Sequence, residues 1–320
     1  MAVYTHVGAE DISAFLDLYG VGPLISAKGI AEGVENSNYL IDARGGRFIL
    51  TLYEKRVDQR DLPFFIDLID HLADRGSPVP RILADAAGTH LQTLSGRPAC
   101  LIQFLPGISV SRPTGRQAYA VGEALAHMHR AAADFDGGRD NALSLDGWQG
   151  LAARIGERFD MILPGLGEEV ADELAFLTAN WPDNLPRSVI HADLFPDNVL
   201  MTGDDVGGLI DFYFACRDIT AYDLAVTHSA WCFSADGSHY LPALGAAMGK
   251  GYDRARTLFA AEREALPVLA RGAALRFLLT RALDWLETPP GALVSRKDPL
   301  AYHRRLGFYR TATTADILGA

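Results

Sequence analysis

VIHADLFPDNVLMTGDDVGGLIDF, residues 189–212, sets His191, Asp193, Asn198 and Asp211 within one short stretch. Val189 and Ile190 run apolar into His191-Ala192-Asp193, and Pro196 and Asp197 break the chain before Val199, Leu200 and Met201 turn apolar again. That is a loop held between two short strands. Gly203-Asp204-Asp205 is a turn signal, and Val206 to Ile210 is a second apolar run ending at Asp211. The resulting hairpin predicts Asn198, at the start of one strand, close to Asp211, at the end of the other, so that two oxygen donors face one point.

A hard divalent cation such as Mg2+ takes oxygen ligands, keeps several waters, and is usually held by one or two protein groups plus substrate phosphates. Asn198 and Asp211 suit that task, and Asp193, five residues before Asn198, is placed to accept a hydroxyl proton. The order is that of a kinase catalytic loop followed by a metal-binding Asp-Phe pair, here Asp211-Phe212. Each residue alone has an ordinary structural reading: an Asp in a loop forms turns and caps, and His191 braces the loop through hydrogen bonds. The spacing of the four together points to phosphoryl transfer.

Outside this stretch the chain is an ordinary globular one. Its 320 residues are enough for about two lobes. A net charge of -11 argues against a nucleic-acid surface, and of the basic residues only Lys28, Lys55, Lys250 and Lys297 are lysines. Cys100, Cys216 and Cys232 are widely spaced, without a CxxC pair, and read as buried thiols of a reducing compartment. The N-terminal MAVYTHVGAEDIS lacks the basic start and apolar run of a signal peptide, and no uncharged apolar run approaches the ~18 residues of a membrane span. A cytoplasmic location is expected, with a small-molecule substrate, no membrane or nucleic-acid partner, and a homo-oligomer left open.

Working outward, Glu10 to Tyr19 has a helical apolar period ending at Gly20. Residues 28–41, KGIAEGVENSNYLI, read as a glycine-bearing polar loop between two β-leaning runs, either ordinary hairpin chemistry or, with the catalytic loop downstream, a lid in which small residues among Gly33, Val34, Glu35, Asn36, Ser37 and Asn38 let backbone N–H groups approach phosphate. Arg47 to Tyr53 is a strand, Asp61 to Arg75 a helix, Val79 to Leu94 two short strands, and Pro98 to Leu105 another. An N-terminal β-rich lobe ends near residue 106. Leu101 to Gly107, including Gln103 and Leu105, is the expected hinge and adenine contact. From Gly115 the pattern turns helical: Gln117 to His129, Leu151 to Phe159, Glu168 to Trp181, and most of the chain after the hairpin. His127 and His129 point to different sides of their helix and make no metal pair. Pro164 to Glu169 lacks the Lys-Ser/Thr ending of a phosphate loop and reads as an interhelical turn. Asp223 is expected to hydrogen-bond the catalytic loop, and Arg281 to form an internal ion pair with Asp284 on its own helix.

The stretch from His191 to Phe212 resembles the aminoglycoside and choline phosphotransferase family, small-molecule kinases with a protein-kinase-like fold. Further segments, GIAEGVENSNYLI at 29–41, ILTLYEKR at 49–56, DLPFF at 61–65 and LRFLLTRALDW at 275–285, resemble the homoserine kinase branch of that superfamily. The resemblance implies an α+β two-lobe fold and a nucleotide-binding lobe over 1–106. It also implies a mostly helical catalytic and substrate lobe over 107–320, and transfer of phosphate from ATP to the L-homoserine hydroxyl in threonine biosynthesis. On it, Asp193 is the base, Asn198 and Asp211 hold Mg2+, and residues 33–38 cover the phosphates.

The chain departs from the wider kinase pattern where a strand Lys and a helix Glu usually hold the nucleotide phosphates. Thr51 takes the strand position, and the helix from Asp61 contains no Glu. Lys55 falls on the same side as Thr51 if the strand continues. Rival readings are a kinase of another small hydroxylated acceptor, a silent kinase-like binding module, and a metal-dependent phosphoesterase built on His191, Asp193, Asp211 and His228. For the acceptor, a zwitterion needs cationic and acidic partners; Arg217, Asp218, Arg276, Arg281 and Trp285 are the candidates, and spacing does not choose among them.

Overall fold

The computed structural model describes residues 4–30, 36–54, 58–289 and 296–319. The chain divides into two compact units, residues 1–106 and 107–320. The fold is α+β.

In the first unit, helix α1 (Ala9–Asp17) precedes strands β1 (Leu24–Gly29), β2 (Asn36–Ala43) and β3 (Gly46–Tyr53), then α2 (Leu62–Asp74), β4 (Gln92–Leu94) and β5 (Arg97–Gln103). The strands form one antiparallel sheet in the order β1-β2-β3-β5-β4. Alternation sends Leu50 and Leu52 of β3 to one face, where they meet Tyr39, Ile41 and Leu101 and the α1 side chains Ile12, Phe15 and Leu16 in a buried core. Asn36, Ser37 and Asn38, expected in a phosphate loop, belong instead to β2, opposite Tyr53, Leu52 and Thr51. The stretch from Val79 to Leu94 yields only β4 and one bridge, Ile82 to Ile102. Pro78 and Pro80 remove backbone donors there, which prevents a longer ladder.

In the second unit, strands β6 (Arg187–Ile190), β7 (Val199–Thr202), β8 (Asp205–Leu209) and β9 (Cys216–Ile219) form two small sheets, β6 with β9 and β7 with β8. Around them lie α3 (Gly115–Ala131), α4 (Leu145–Ile155), α5 (Leu166–Asn180), α6 (Thr220–Trp231), α7 (Pro242–Ala255), α8 (Ala260–Glu287), α9 (Leu300–Tyr309) and α10 (Thr314–Leu318). Helix α3 starts at a capping box in which Thr114 and Gln117 satisfy each other's backbone N–H. Gly122 and Gly251 let α3 and α7 pack backbone to backbone: a Cβ on Gly251 would stand 2.0 Å from the Tyr119 carbonyl oxygen. This close crossing fixes His129 and Tyr252 against each other. Helix α6 is buried on nearly every side, so it carries no amphipathic stripe, and its first turn supplies Asp223 to the loop after β6. Of Pro164 to Glu169, expected as an interhelical turn, only Pro164 and Gly165 precede α5, with Gly165 in the left-handed region at φ 82°, and Leu166 to Glu169 form the first turn of the helix.

Candidate active site

The loop after β6 is held in shape mainly by one carboxylate. Asp223 Oδ2 accepts the His191 N–H at 2.7 Å, and Oδ1 accepts the Ala192 N–H at 2.7 Å. Ala192 stands at φ 63°, a left-handed conformation costly for a residue with a Cβ, and these bonds over-determine it. Arg276 of α8 donates to the Ala192 carbonyl, and Trp231 Nε1 donates to the Leu194 carbonyl at 2.9 Å. Behind Asp223 the brace continues inward. His129 Nε2 meets Asp223 Oδ2 at 3.0 Å, His129 Nδ1 meets the Tyr252 hydroxyl at 2.8 Å, and Arg256 joins that hydroxyl at 3.1 Å to Glu262 at 2.7 Å. Burial alone would push the Asp223 carboxyl upward, but the hydrogen bonds it accepts from the His129 side chain and the His191 backbone N–H win, and its pKa is lowered.

His191 completes the loop as the sequence predicts. Its Nε2 lies 3.0 Å from the Ile210 carbonyl oxygen and its Nδ1 accepts the Asp193 N–H at 3.3 Å, which fixes a neutral ring protonated at Nε2. Burial drives the ring pKa down, in keeping with that neutral form. One imidazole therefore ties the loop to the strand end that carries Asp211.

Asp193, Asn198 and Asp211 are brought together. Asn198 Nδ2 donates to the Asp193 carbonyl at 2.8 Å and reaches Asp193 Oδ2 at 3.3 Å, while the Ile210 N–H donates to the Asn198 carbonyl at 3.0 Å. With Nδ2 committed to Asp193, Oδ1 is the atom of this amide left for a cation. Asp211 sits at φ 66°, a second left-handed residue at the site. A carboxylate and an amide oxygen are hard donors and fit Mg2+ held jointly with nucleotide phosphates. Among the described residues no three His, Cys, Asp or Glu side chains gather closely enough to hold a metal by themselves. The phosphoesterase arrangement is not built: His228 is buried against the Tyr309 hydroxyl at 2.6 Å and the Ile317 carbonyl at 3.1 Å. Burial pushes the Asp193 carboxyl up to about 8, with Arg276 opposing and the Asp211 charge adding to the rise.

The other expected residues are distributed unevenly. Gly33, Val34, Glu35 and Lys55 lie outside the described residues. Ser37 is wholly buried; its hydroxyl donates to Glu54 Oε1 at 2.8 Å and accepts from the Tyr4 and Thr5 N–H groups. Asn36 accepts the Glu54 N–H at 3.4 Å, and Asn38 accepts the Thr51 hydroxyl at 2.8 Å. These three side chains therefore tie the β2–β3 ladder. Lys28 is exposed on β1, and Gln103 ends β5, where its amide accepts the Arg81 N–H at 3.2 Å; Leu105 is half-buried beyond it.

Arg217 and Asp218 belong to β9 and serve its surroundings. Arg217 donates to the Phe135 carbonyl at 3.2 Å, and Asp218 is buried between Asn141 at 2.6 Å and Arg187 at 3.2 Å. Trp285 carries Arg296 over its ring at 5.0 Å. Arg276 is a loop brace. The pair expected between Arg281 and Asp284 is not formed: Arg281 lies over the Tyr302 ring at 4.5 Å, while Asp284 is exposed one turn on. His129, Trp231 and Tyr252 were invisible as site residues because their roles depend on partners far along the chain.

The family model described as the phosphotransferase enzyme family matches residues 26–258. The chain is 54% identical over 319 residues to a homoserine kinase of Methylorubrum populi, covering 100% of this chain and 99% of that protein. It is 53% identical over 319 residues to a homoserine kinase of Rhizobium meliloti, covering 100% and 98%. Among solved structures, a microcompartment-associated aminopropanol kinase aligns with TM-score 0.72 at 17% identity, over 97% of this chain and 99% of that one. An amicoumacin kinase in complex with AMP-PNP, Ca2+ and amicoumacin aligns with TM-score 0.69 at 16% identity, over 95% and 94%. At such identities the structural matches speak for the fold.

Proposed function

The chain belongs to the phosphotransferase enzyme family, and from that premise we propose that it transfers the γ-phosphoryl group of ATP to the side-chain hydroxyl of L-homoserine, giving O-phospho-L-homoserine for threonine biosynthesis. The observation that carries the chemistry is the joint placement of Asp193, Asn198 and Asp211 on a loop braced by Asp223. The acceptor is supported by the identity of 54% to a homoserine kinase over the full chain.

Asp193 takes the proton from the acceptor hydroxyl at a carboxylate oxygen as that oxygen forms its bond to the γ-phosphorus and the bond to ADP breaks. A carboxyl lifted by burial to about 8 is a better base than an ordinary one, with a minor ionised fraction at neutral pH that grows as pH rises toward 8. Asn198 Oδ1 and Asp211 are the residues that hold Mg2+, which when bound neutralises phosphate charge. His191 and Asp223 fix the loop so that positioning and preorganised charge supply most of the rate.

ADP release with Mg-ATP tests this reading, comparing L-homoserine with choline, an aminoglycoside, L-serine and L-threonine. Turnover confined to homoserine is the expected result. Turnover with a different acceptor alone would reassign the substrate, and none at all would favour a silent binding module.

A further inference from the structure

Among the described residues of the second unit, several partly buried arginines are paired with acids. Arg256 meets Glu262 at 2.7 Å, Arg271 meets Glu173 at 2.6 Å, and Arg310 meets the same glutamate at 3.0 Å. Three arginines on α8 and α9 form a contrasting group. Arg276 is 1% exposed, Arg305 4%, and Arg281 half-buried, yet among the described residues none meets a carboxylate within ion-pair distance. Their polar contacts are carbonyl oxygens: Arg276 to Ala192, Arg281 to Asp298 at 3.4 Å, and Arg305 to Ser234 at 3.2 Å. Among the described residues the buried Nε atoms of Arg276 and Arg305 find no hydrogen-bond partner. A buried charge without a counter-charge is costly, and like charges side by side add to the cost.

Arg276 has a task already, on the catalytic loop. Arg281 and Arg305 do not, and both lie against one ring: the Tyr302 centroid is 4.5 Å from the Arg281 Cζ and 4.3 Å from the Arg305 Cζ. That ring continues an aromatic wall running to the catalytic loop, through Phe277 at 5.0 Å and on to Phe195 at 4.9 Å, two residues from Asp193. Arg305 also lines a cavity of about 390 Å³, together with Pro196 and Asp197 of the loop and Trp231. Asp197 is exposed there beside Lys297 at 3.6 Å.

We propose that Arg281 and Arg305 bind the α-carboxylate of the amino-acid acceptor, with the Tyr302 ring packed against both guanidinium groups and the aromatic wall setting the distance from that carboxylate to Asp193. Guanidinium forks match a carboxylate in shape and donors, and the incoming anion supplies the counter-charge missing from the free protein. The proposal rests on the kinase reading and adds to it the element that selects an amino acid over an amino alcohol.

Steady-state kinetics of wild type, Arg281→Gln and Arg305→Lys, with L-homoserine and with 3-amino-1-propanol, the same acceptor without its carboxylate, test this. Arg305→Lys keeps the buried charge and so guards against loss of folding, which a thermal melt checks in each variant. Both variants are expected to raise the KM for homoserine by about 10- to 100-fold, the range of a charge-assisted hydrogen bond. The KM for Mg-ATP and the efficiency with 3-amino-1-propanol stay near wild type. Wild-type homoserine KM in both folded variants overturns the clamp alone, and a raised KM for ATP instead assigns the cations to the nucleotide and also overturns it. No turnover of homoserine by the wild type would overturn the kinase reading and the clamp together.

Discussion

Asp193 and Asp223 both serve the loop between β6 and β7, and their surroundings pull them in opposite directions. Asp223 is wholly buried but accepts two backbone N–H groups and faces His129, so its charge is favoured despite burial. Among the described residues Asp193 has the Asn198 amide as its one side-chain donor, at 3.3 Å, and it shares the site with Asp211; burial lifts its pKa to about 8. One carboxylate spends its hydrogen bonds on the fold, while the other is left able to take up a proton. Pairs of titratable groups driven apart in this way mark the division between structural and chemical roles.

The largest effect that would sharpen this contrast is expected at Asp193. Asp193→Asn should lower kcat by about 10²- to 10⁴-fold, the usual scale for a general base, with the fold retained by circular dichroism; activity close to wild type would remove Asp193 from the chemistry. The same variant should melt higher than wild type at alkaline pH. The folded state keeps on Asp193 a proton that the unfolded chain releases near 3.8. Stability from this group is therefore fully present below that value and is lost as pH rises through about 8. The amide carries no such penalty.

Asp223→Ala should act on stability first. It strands the His191 and Ala192 N–H groups and the inner face of His129, at a cost of about 2–5 kcal/mol in denaturant unfolding, with activity falling as the loop loses its shape. An unfolding midpoint unchanged from wild type would contradict the brace. The smallest effect belongs to Tyr252→Phe, which removes one neutral partner from the His129 relay. A loss of about 1 kcal/mol is expected, with kcat changed less than by either aspartate variant. In the pH profile, kcat/KM for the acceptor should fall on the acid side of the Asp193 pKa, since only the ionised carboxylate accepts a proton; a level profile from about pH 8 to pH 5 would argue against it.

The contrast between these two aspartates also shows what the sequence could convey. His191, Asp193, Asn198 and Asp211 were legible because the strand, loop and hairpin that join them are local, and a turn at Gly203 is enough to bring Asn198 beside Asp211. The involvement of His129 was not, because it arises from the close crossing of α3 and α7 and from a partner on α6. Pairing of β6 with β9 was equally hidden, since Arg217 and Asp218 make β9 look like a polar connection. Asn36 to Asn38 look like loop by composition, yet their pairing with β3 overrides that local preference. Arg305 carried no local signal at all: its significance lies in being buried without the carboxylate partner that the less buried Arg256, Arg271 and Arg310 have.

Phosphorus NMR of the wild-type protein with Mg-ATP and L-homoserine tests the central claim most directly. The account predicts a new phosphomonoester signal coupled to the methylene protons next to the homoserine side-chain oxygen, absent from the same mixture with Asp193→Asn. Inorganic phosphate appearing without that signal would show that water, and not the amino acid, receives the phosphoryl group, and would contradict it.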